Sequence, residues 1–351
     1  MSFKYKEWVK PVLRERGADE TRYGSLRLEK NERVTPFSTG FWKKAAGRIT
    51  QECVMAYPEP ERLYKKLSAF HGYGVDHFML TAGSDAAIRH AFDLCVKPGD
   101  GVVTLKPTFA MVEVYCELYG AGKRFAGFDK DLTLDTKKLL NDIDEKVSLV
   151  VIANPNSPTG TYIELPMMKK IVAKAEGAGA VVLIDEAYHG FCPKTSISLI
   201  EDHDNVMVTR TFSKACGLAG ARIGYIAASP VLTALLYKFR PMYEASGPAV
   251  ILAEEVLDNW EEVRKYLVGT KLGEKYLIRE LDRLGFRYVS TVSNFIHIDF
   301  GTKKEKALAS FKKADIRVRS GLPIKGYETF LRITTGPEEA MKRLIKVMEK
   351  L

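Results

Sequence analysis

The residues whose types and spacing suit chemistry are those that follow apolar, β-rich runs, because in open α/β sheets ligands bind beyond the carboxyl ends of the strands. Asp185 ends the run VVLID and is followed by Glu186, Ala187 and Tyr188. A carboxylate at the mouth of a hydrophobic strand is costly unless a cation pairs with it, and a protonated ring nitrogen is one such cation. Taken alone, Asp185 reads more readily as a helix cap. Lys214 sits among hydroxyls and small residues in TRTFSKACGLAGARIGY, which runs from Thr209 to Tyr225. A lysine near other cations in a partly dry pocket has its pKa lowered enough to form an imine. Thr211, Ser213 and Arg222 add two hydroxyls and a forked cation, a set suited to a phosphate dianion. By itself this segment is equally a helix N-terminus with a surface lysine.

Two further clusters occupy similar places. TAGSDAAIRHAF reads as a strand ending at Gly83, Ser84 and Asp85 before an apolar-periodic helix, whose first amides can cradle an anion. Any N-capped strand-to-helix turn looks like this, so its value lies in company. NPNSPTG, from Asn154 to Gly160, is a rigid turn of two prolines and a glycine that holds polar groups beside a strand end.

The elements that must position these residues are legible as strands and helices in alternation. HFMLTAG, GVVTLKP, VSLVVIAN, VVLIDEA, VMVTRTF and RIGYIAAS read as strands, several apolar on both faces as in a sheet covered by helices. Helices are expected at about 84–96, 108–119, 164–177 and 229–240. From residue 249 a long helical stretch, broken only weakly by Gly269 and Gly273, bridges to a smaller α+β region with FRYVSTV, NFIHIDF, IRVRS and FLRITTG as extended segments and a last helix from about 337. The fold class is thus α/β, a large domain with a mostly parallel sheet flanked by helices plus a smaller α+β domain. We divide the chain into an irregular, polar N-terminal segment, 1–50, lying on the small domain, a large domain, 51–248, and a bridging helix with the small domain, 249–351.

Composition narrows the function classes. With 351 residues, 46% hydrophobic and 28% charged, the chain can bury a large core. Its opening residues are charged where a signal peptide is apolar, and no run reaches the roughly 20 apolar residues of a membrane span, which points to a cytoplasmic protein. Five cysteines without C-x-x-C spacing argue against disulfides and zinc, and six scattered histidines offer no ligand pair, so no metal is expected. The net charge of +9 is spread along the chain, which favours anionic small molecules over nucleic acid.

The ordered set GSD, NPNSPTG, DEAY, TFSKACGLAGARIGY and FLRITTG, with the Asn31–Glu32 pair near the start, resembles the histidinol-phosphate aminotransferase branch of the class I and II aminotransferases over about residues 20–350. The resemblance implies the fold type I of enzymes that use pyridoxal 5′-phosphate, with Lys214 as the Schiff-base lysine, Asp185 on the pyridine nitrogen and Tyr188 on the phenolic oxygen. It implies Phe109 stacking on the ring and Ser84, Asp85, Thr211, Ser213 and Arg222 holding the phosphate. Tyr57 of MAYPEP matches a tyrosine that reaches across from a neighbouring subunit, which implies a homodimer with shared active sites. Arg332 matches the arginine that clamps the substrate carboxylate, and Asn31, Arg22, Tyr23 and Arg319 are the other candidate substrate contacts.

The sequence also departs from that pattern. Ser157 stands where the family places asparagine near the phenolic oxygen, so either water or Asn156 takes over that bond, or the internal imine titrates differently. The implied reaction is transfer of an amino group from a donor, glutamate in the first instance, to a keto or aldehyde acceptor, phosphorylated in this branch. Decarboxylation of an O-phospho amino acid, as in threonine-phosphate decarboxylases, is the alternative, and a non-catalytic sensor on the same fold is disfavoured because every key residue is present.

Overall fold

The computed structural model describes residues 6–14 and 21–351. Its centre is a seven-stranded sheet in the order Phe78–Thr81, Gly224–Ala228, Val206–Thr211, Val181–Asp185, Val147–Ala153, Gly101–Lys106, Gly122–Gly127. Only Gly224–Ala228 runs antiparallel to its neighbours. The other pairings are parallel. Successive strand side chains point to opposite faces, so Val150, Ile152, Val182 and Ile184 enter one core while Leu149, Val151 and Leu183 enter a second on the other side. That two-sided burial is what made the strands apolar throughout. The seventh strand, GKRFAG, escaped the sequence reading because it is the edge, half open to solvent and charged, as edge strands are.

Helices cover both faces. Ser84–Cys95, Ala110–Tyr119 and Leu165–Gly177 form close to their expected bounds, whereas the helix expected at 229–240 stops at Leu236. The stretch read as one helix from 249 is two, Gly247–Asp258 and Trp260–Leu284, joined at Asn259, whose backbone leaves the helical region. The first buries Ala249, Val250, Ala253 and Val256 in the large-domain core, and the second bridges from Val263 in that core to Leu277 and Leu281 in the small one.

The small domain has a three-stranded antiparallel sheet, with Phe295–Asp299 between Phe330–Thr334 and Tyr288–Ser290, and a two-stranded parallel pair of Leu26–Leu28 with Ile316–Val318. Residues 1–50 do not lie wholly on this domain. Leu26–Leu28 does, but Trp8 donates from Nε1 to the Leu118 carbonyl of the large domain, and Thr39–Gly47 is a helix that buries Phe41 and Ala45 in the large core. An apolar stripe of only two residues gave that helix little signal in a polar segment.

Of the two glycines in the bridging helix, Gly273 lets it dock, whereas Gly269 only costs it helix propensity. A Cβ on Gly273 would lie 2.0 Å from the Gly336 carbonyl oxygen, whereas one on Gly269 would sit at an ordinary 3.5 Å from Pro337. Alanine favours a helix over glycine by about 1 kcal/mol. Gly269→Ala should therefore stabilise the protein by up to about 1 kcal/mol, and Gly273→Ala should destabilise it by about 1–3 kcal/mol through overpacking. Chemical denaturation of the two variants checks this, and a stabilised Gly273→Ala would refute the docking contact.

Candidate active site

A cavity of about 430 Å³ opens at the carboxyl ends of the central strands, walled on its far side by the small domain. Alternation within Val181–Asp185 and the residues after it sends Asp185 into this cavity and turns Glu186 away from it. Glu186 is buried against Arg210, whose Nε and Nη2 donate to Oε2 at 3.0 and 2.9 Å, and its Oε1 accepts from the Ser196 amide at 2.5 Å. A buried pair with those extra donors is satisfied on all sides. The Asp185 carboxylate is also buried but accepts only from the Ala187 amide, at 3.1 Å. Burial pushes its pKa up to about 7, against the opposing pull of that amide and of Lys214.

Lys214 follows the strand Val206–Thr211 and donates from Nζ to the Lys30 carbonyl at 2.8 Å. Burial and the nearby Arg332 and Arg222 charges bring its pKa down to about 8, with Glu32 and Asp185 opposing. A substantial neutral fraction near physiological pH is what an amine needs to act as nucleophile and base.

The anion-binding cluster is contiguous. Thr211 Oγ1 donates to Ser213 Oγ at 2.9 Å, Arg222 Nη1 reaches the same oxygen at 3.4 Å, and Arg222 Nη2 donates to the Ala82 carbonyl at 3.3 Å. Gly83 separates that carbonyl from the helix beginning at Ser84. It adopts φ +85°, and a Cβ there would lie 2.9 Å from Arg222 Nη2, so only glycine lets the guanidinium approach the helix N-terminus. Hydroxyls, a guanidinium and free amides together form a donor set for a phosphate.

Tyr188 is oriented from the small domain. Asn31, at φ +56°, donates its amide N–H to Thr334 Oγ1 at 3.0 Å, and that hydroxyl donates to Asn31 Oδ1 at 3.2 Å. The side-chain Nδ2 is thereby turned to Tyr188 and donates to its hydroxyl at 2.7 Å. With its oxygen accepting from Asn31, the Tyr188 O–H is left to donate into the cavity. Asn31 lines the cavity, yet its side chain is spent on these two partners.

Arg332 donates from Nη2 to the Glu29 carbonyl at 2.9 Å and from Nη1 to Ser157 Oγ at 3.4 Å, and its buried Nε has no partner among the described residues. A guanidinium with spare donors on a cavity wall suits a carboxylate. Asn156 does not replace the missing asparagine at 157. Its Nδ2 donates to the Pro107 carbonyl and to Thr159, its Oδ1 accepts from Thr108, and Asn156 is not among the residues that line the cavity.

Of the sequence-derived candidates, Ser84, Asp85, Phe109, Ser157, Asp185, Tyr188, Thr211, Ser213, Lys214, Arg222, Asn31, Arg319 and Arg332 all line this one cavity. Arg22, Tyr23 and Tyr57 do not. Arg22 is not free to anchor an anion, since Glu29 at 2.5 Å and Glu32 at 3.0 Å already neutralise it. Tyr23 is 90% exposed, and Tyr57, 76% exposed, stacks on Tyr243 with ring centroids 4.3 Å apart. Sequence reasoning missed Glu29, Lys30, Leu322 and Pro323 as lining residues, for they carry no motif of their own.

The donor set fits pyridoxal 5′-phosphate on chemistry alone. A buried carboxylate short of a cation, a lysine of lowered pKa, an outward-facing tyrosine hydroxyl and a phosphate cluster stand in one cavity. Comparison with known proteins leads to the same place. The sequence model of the family described as aminotransferase class I and II matches residues 39–348. The chain is 30% identical to a histidinol-phosphate aminotransferase of Symbiobacterium thermophilum, over 97% of this chain and 93% of the relative. It is 32% identical to histidinol-phosphate aminotransferase 2 of Carboxydothermus hydrogenoformans, over 88% and 87%. In structure it resembles the histidinol-phosphate aminotransferase of Sinorhizobium meliloti in complex with pyridoxal 5′-phosphate, with a TM-score of 0.80 at 24% identity over 92% and 91% of the two chains. That of Clostridium acetobutylicum gives 0.82 at 22% over 93% and 98%. These last two matches speak to the fold, and the sequence matches settle the family: the chain is a pyridoxal-phosphate-dependent enzyme that belongs to the class I and II aminotransferases.

Proposed function

We propose that the enzyme moves an amino group from an amino-acid donor, glutamate in the first instance, to a keto or aldehyde acceptor bearing a phosphate, as the names of its relatives suggest. The observation that carries this reading is the convergence of Asp185, Lys214, Tyr188 and Arg332, from both domains, on one cavity. Bound there, the cofactor supplies an electron sink for charge developing at the substrate's α-carbon. Asp185 would keep the ring nitrogen protonated, Tyr188 would donate to the phenolic oxygen, and Phe109 would cover the ring. Ser84, Asp85, Thr211, Ser213 and Arg222 would hold the phosphate.

Lys214 Nζ would be the base that takes the proton from the substrate α-carbon, and its lowered pKa suits both taking up and giving back a proton. Arg332 binds the α-carboxylate. Arg319, exposed beside the cavity with a guanidinium that has no hydrogen-bond or ion-pair partner among the described residues, is a cation available to the acceptor's phosphate, with Lys30 beside the same cavity. We further read the protein as a cytoplasmic homodimer in which Tyr57, outside its own chain's cavity, serves the neighbouring subunit. No helix among the described residues is long and apolar enough to cross a membrane.

The deciding experiment follows the visible absorbance of the holoenzyme. Glutamate, and histidinol phosphate in the reverse direction, should each discharge the band without CO₂. Release of CO₂ from O-phosphothreonine with the band retained would replace transfer by decarboxylation. Lys214→Ala should lower turnover by about 10²–10⁴-fold or more, and full activity in that variant would sink the assignment. Arg332→Lys should weaken glutamate binding at least about tenfold while changing cofactor affinity little, because lysine cannot bind a carboxylate bidentately. Equal losses of both would count against its role.

The raised pKa of Asp185 makes a further test. Ionisation costs the folded protein stability, a penalty that begins above the ordinary value of 3.8 and is complete above about 7. In the cofactor-free protein, Asp185→Asn should therefore raise the unfolding temperature by several degrees at pH 8 and much less at pH 5, while weakening cofactor retention. An equal shift at both pH values would show that Asp185 is not the group responsible.

A further inference from the structure

His297 is the one histidine of the small-domain sheet, and no motif drew attention to it. It is fully buried in Phe295–Asp299 and lies opposite Arg332 in the antiparallel register with Phe330–Thr334. Residues paired across a sheet share a face. Ile296, Ile298, Leu331 and Ile333 pack into the small-domain core, so His297 and Arg332 project together from the other face, toward the large domain. There His297 Nε2 lies 2.8 Å from the carbonyl oxygen of Pro158. A carbonyl only accepts, so Nε2 carries the proton. Nδ1 is buried without a partner, and the ring is flanked edge-on by Phe295 and Tyr327 at 5.5 and 5.4 Å. The imidazole is thus a neutral single donor, held in one tautomer by one acceptor. Burial, with the Arg332 charge, keeps its pKa down at about 4.

Pro158 follows Ser157, whose hydroxyl faces Arg332 Nη1 at 3.4 Å. The same loop is pressed onto the small domain at Gly160, where a Cβ would lie 2.2 Å from Thr291 Cγ2. We propose that His297 is a positioning residue for the substrate carboxylate: its Nε2–H holds the Ser157–Pro158 turn of the large domain against the strand that carries Arg332, and so sets the slot between Ser157 and Arg332. This rests on the reading of Arg332 as the carboxylate clamp. A slot spanning two domains needs such a tie, because a misplacement of about 1 Å at a binding group costs about 10²-fold.

The test measures the dissociation constant of glutarate, an unreactive dicarboxylate, and of the cofactor, on holoenzyme and apoenzyme respectively. His297→Phe keeps the ring volume and loses the donor, and should weaken glutarate about tenfold or more, consistent with loss of a buried hydrogen bond. His297→Gln restores an N–H at similar reach and should bind glutarate within about threefold of the wild type. Cofactor affinity should stay within about threefold in both. Arg332→Lys serves as the reference. If it weakens glutarate but His297→Phe does not, or if glutamine fails to rescue, or if cofactor affinity falls in parallel, His297 is a core residue and the proposal is wrong. If Arg332→Lys itself leaves glutarate binding unchanged, the clamp reading and this proposal fall together. Should the phenylalanine variant not fold, the same comparison on His297→Leu decides.

Discussion

Asp185 leaves the sheet at the end of an apolar strand, where its carboxyl loses hydration and gains only one amide in return. Such a group either stays protonated or finds a cation, and among the described residues no side-chain cation hydrogen-bonds it. Its neighbour Glu186 shows what full compensation looks like, with Arg210, Thr195 and the Ser196 amide around it. The contrast between two adjacent carboxylates, one saturated and one left short, follows from strand alternation. It makes the cavity an incomplete electrostatic arrangement that a protonated heterocycle completes. The lowered pKa of Lys214 belongs to the same arrangement, since burial and two guanidiniums outweigh the two carboxylates near it.

The second domain supplies what the large one lacks. Its core-averted sheet face carries Phe295, His297, Arg332 and Thr334, and each meets the large domain through a specific contact. Phe295 packs edge-on against the Tyr188 ring, His297 bonds the Pro158 carbonyl, Arg332 approaches Ser157, and Thr334 sets the Asn31 amide that bonds Tyr188. Gly160 lets the large-domain loop lie against the Thr291 side chain of the small domain, where no Cβ would fit.

How far the sequence announced all this depends on how local each determinant is. The placing of Asp185, Lys214 and the GSD turn at strand ends was legible because turn chemistry is local, although singly each also read as a cap, a surface lysine or an ordinary turn and only the resemblance gave them roles. Legible too was the two-sided core, which alternation in VSLVVIA and VVLID requires. Arg22 was misjudged because the carboxylates that neutralise it, Glu29 and Glu32, lie seven and ten residues away and meet it only on folding. The edge strand GKRFAG and the helix Thr39–Gly47 were missed because neither has enough buried residues to impose a period. His297 was passed over as a lone histidine in an apolar strand, and only the register with Arg332 gives it a direction. Tyr57 had its expected role from the resemblance alone, and in the fold it is exposed and stacked on Tyr243.

The bond from Asn31 to Tyr188 crosses from one domain to the other. Asn31 is held by Thr334 and Asn294 of the small domain, while Tyr188 stands on the large one and lines the cavity. A displacement of one domain against the other would therefore stretch the 2.7 Å bond that orients the Tyr188 hydroxyl. The direction in which a large-domain hydroxyl points is thus written into the packing of the small domain.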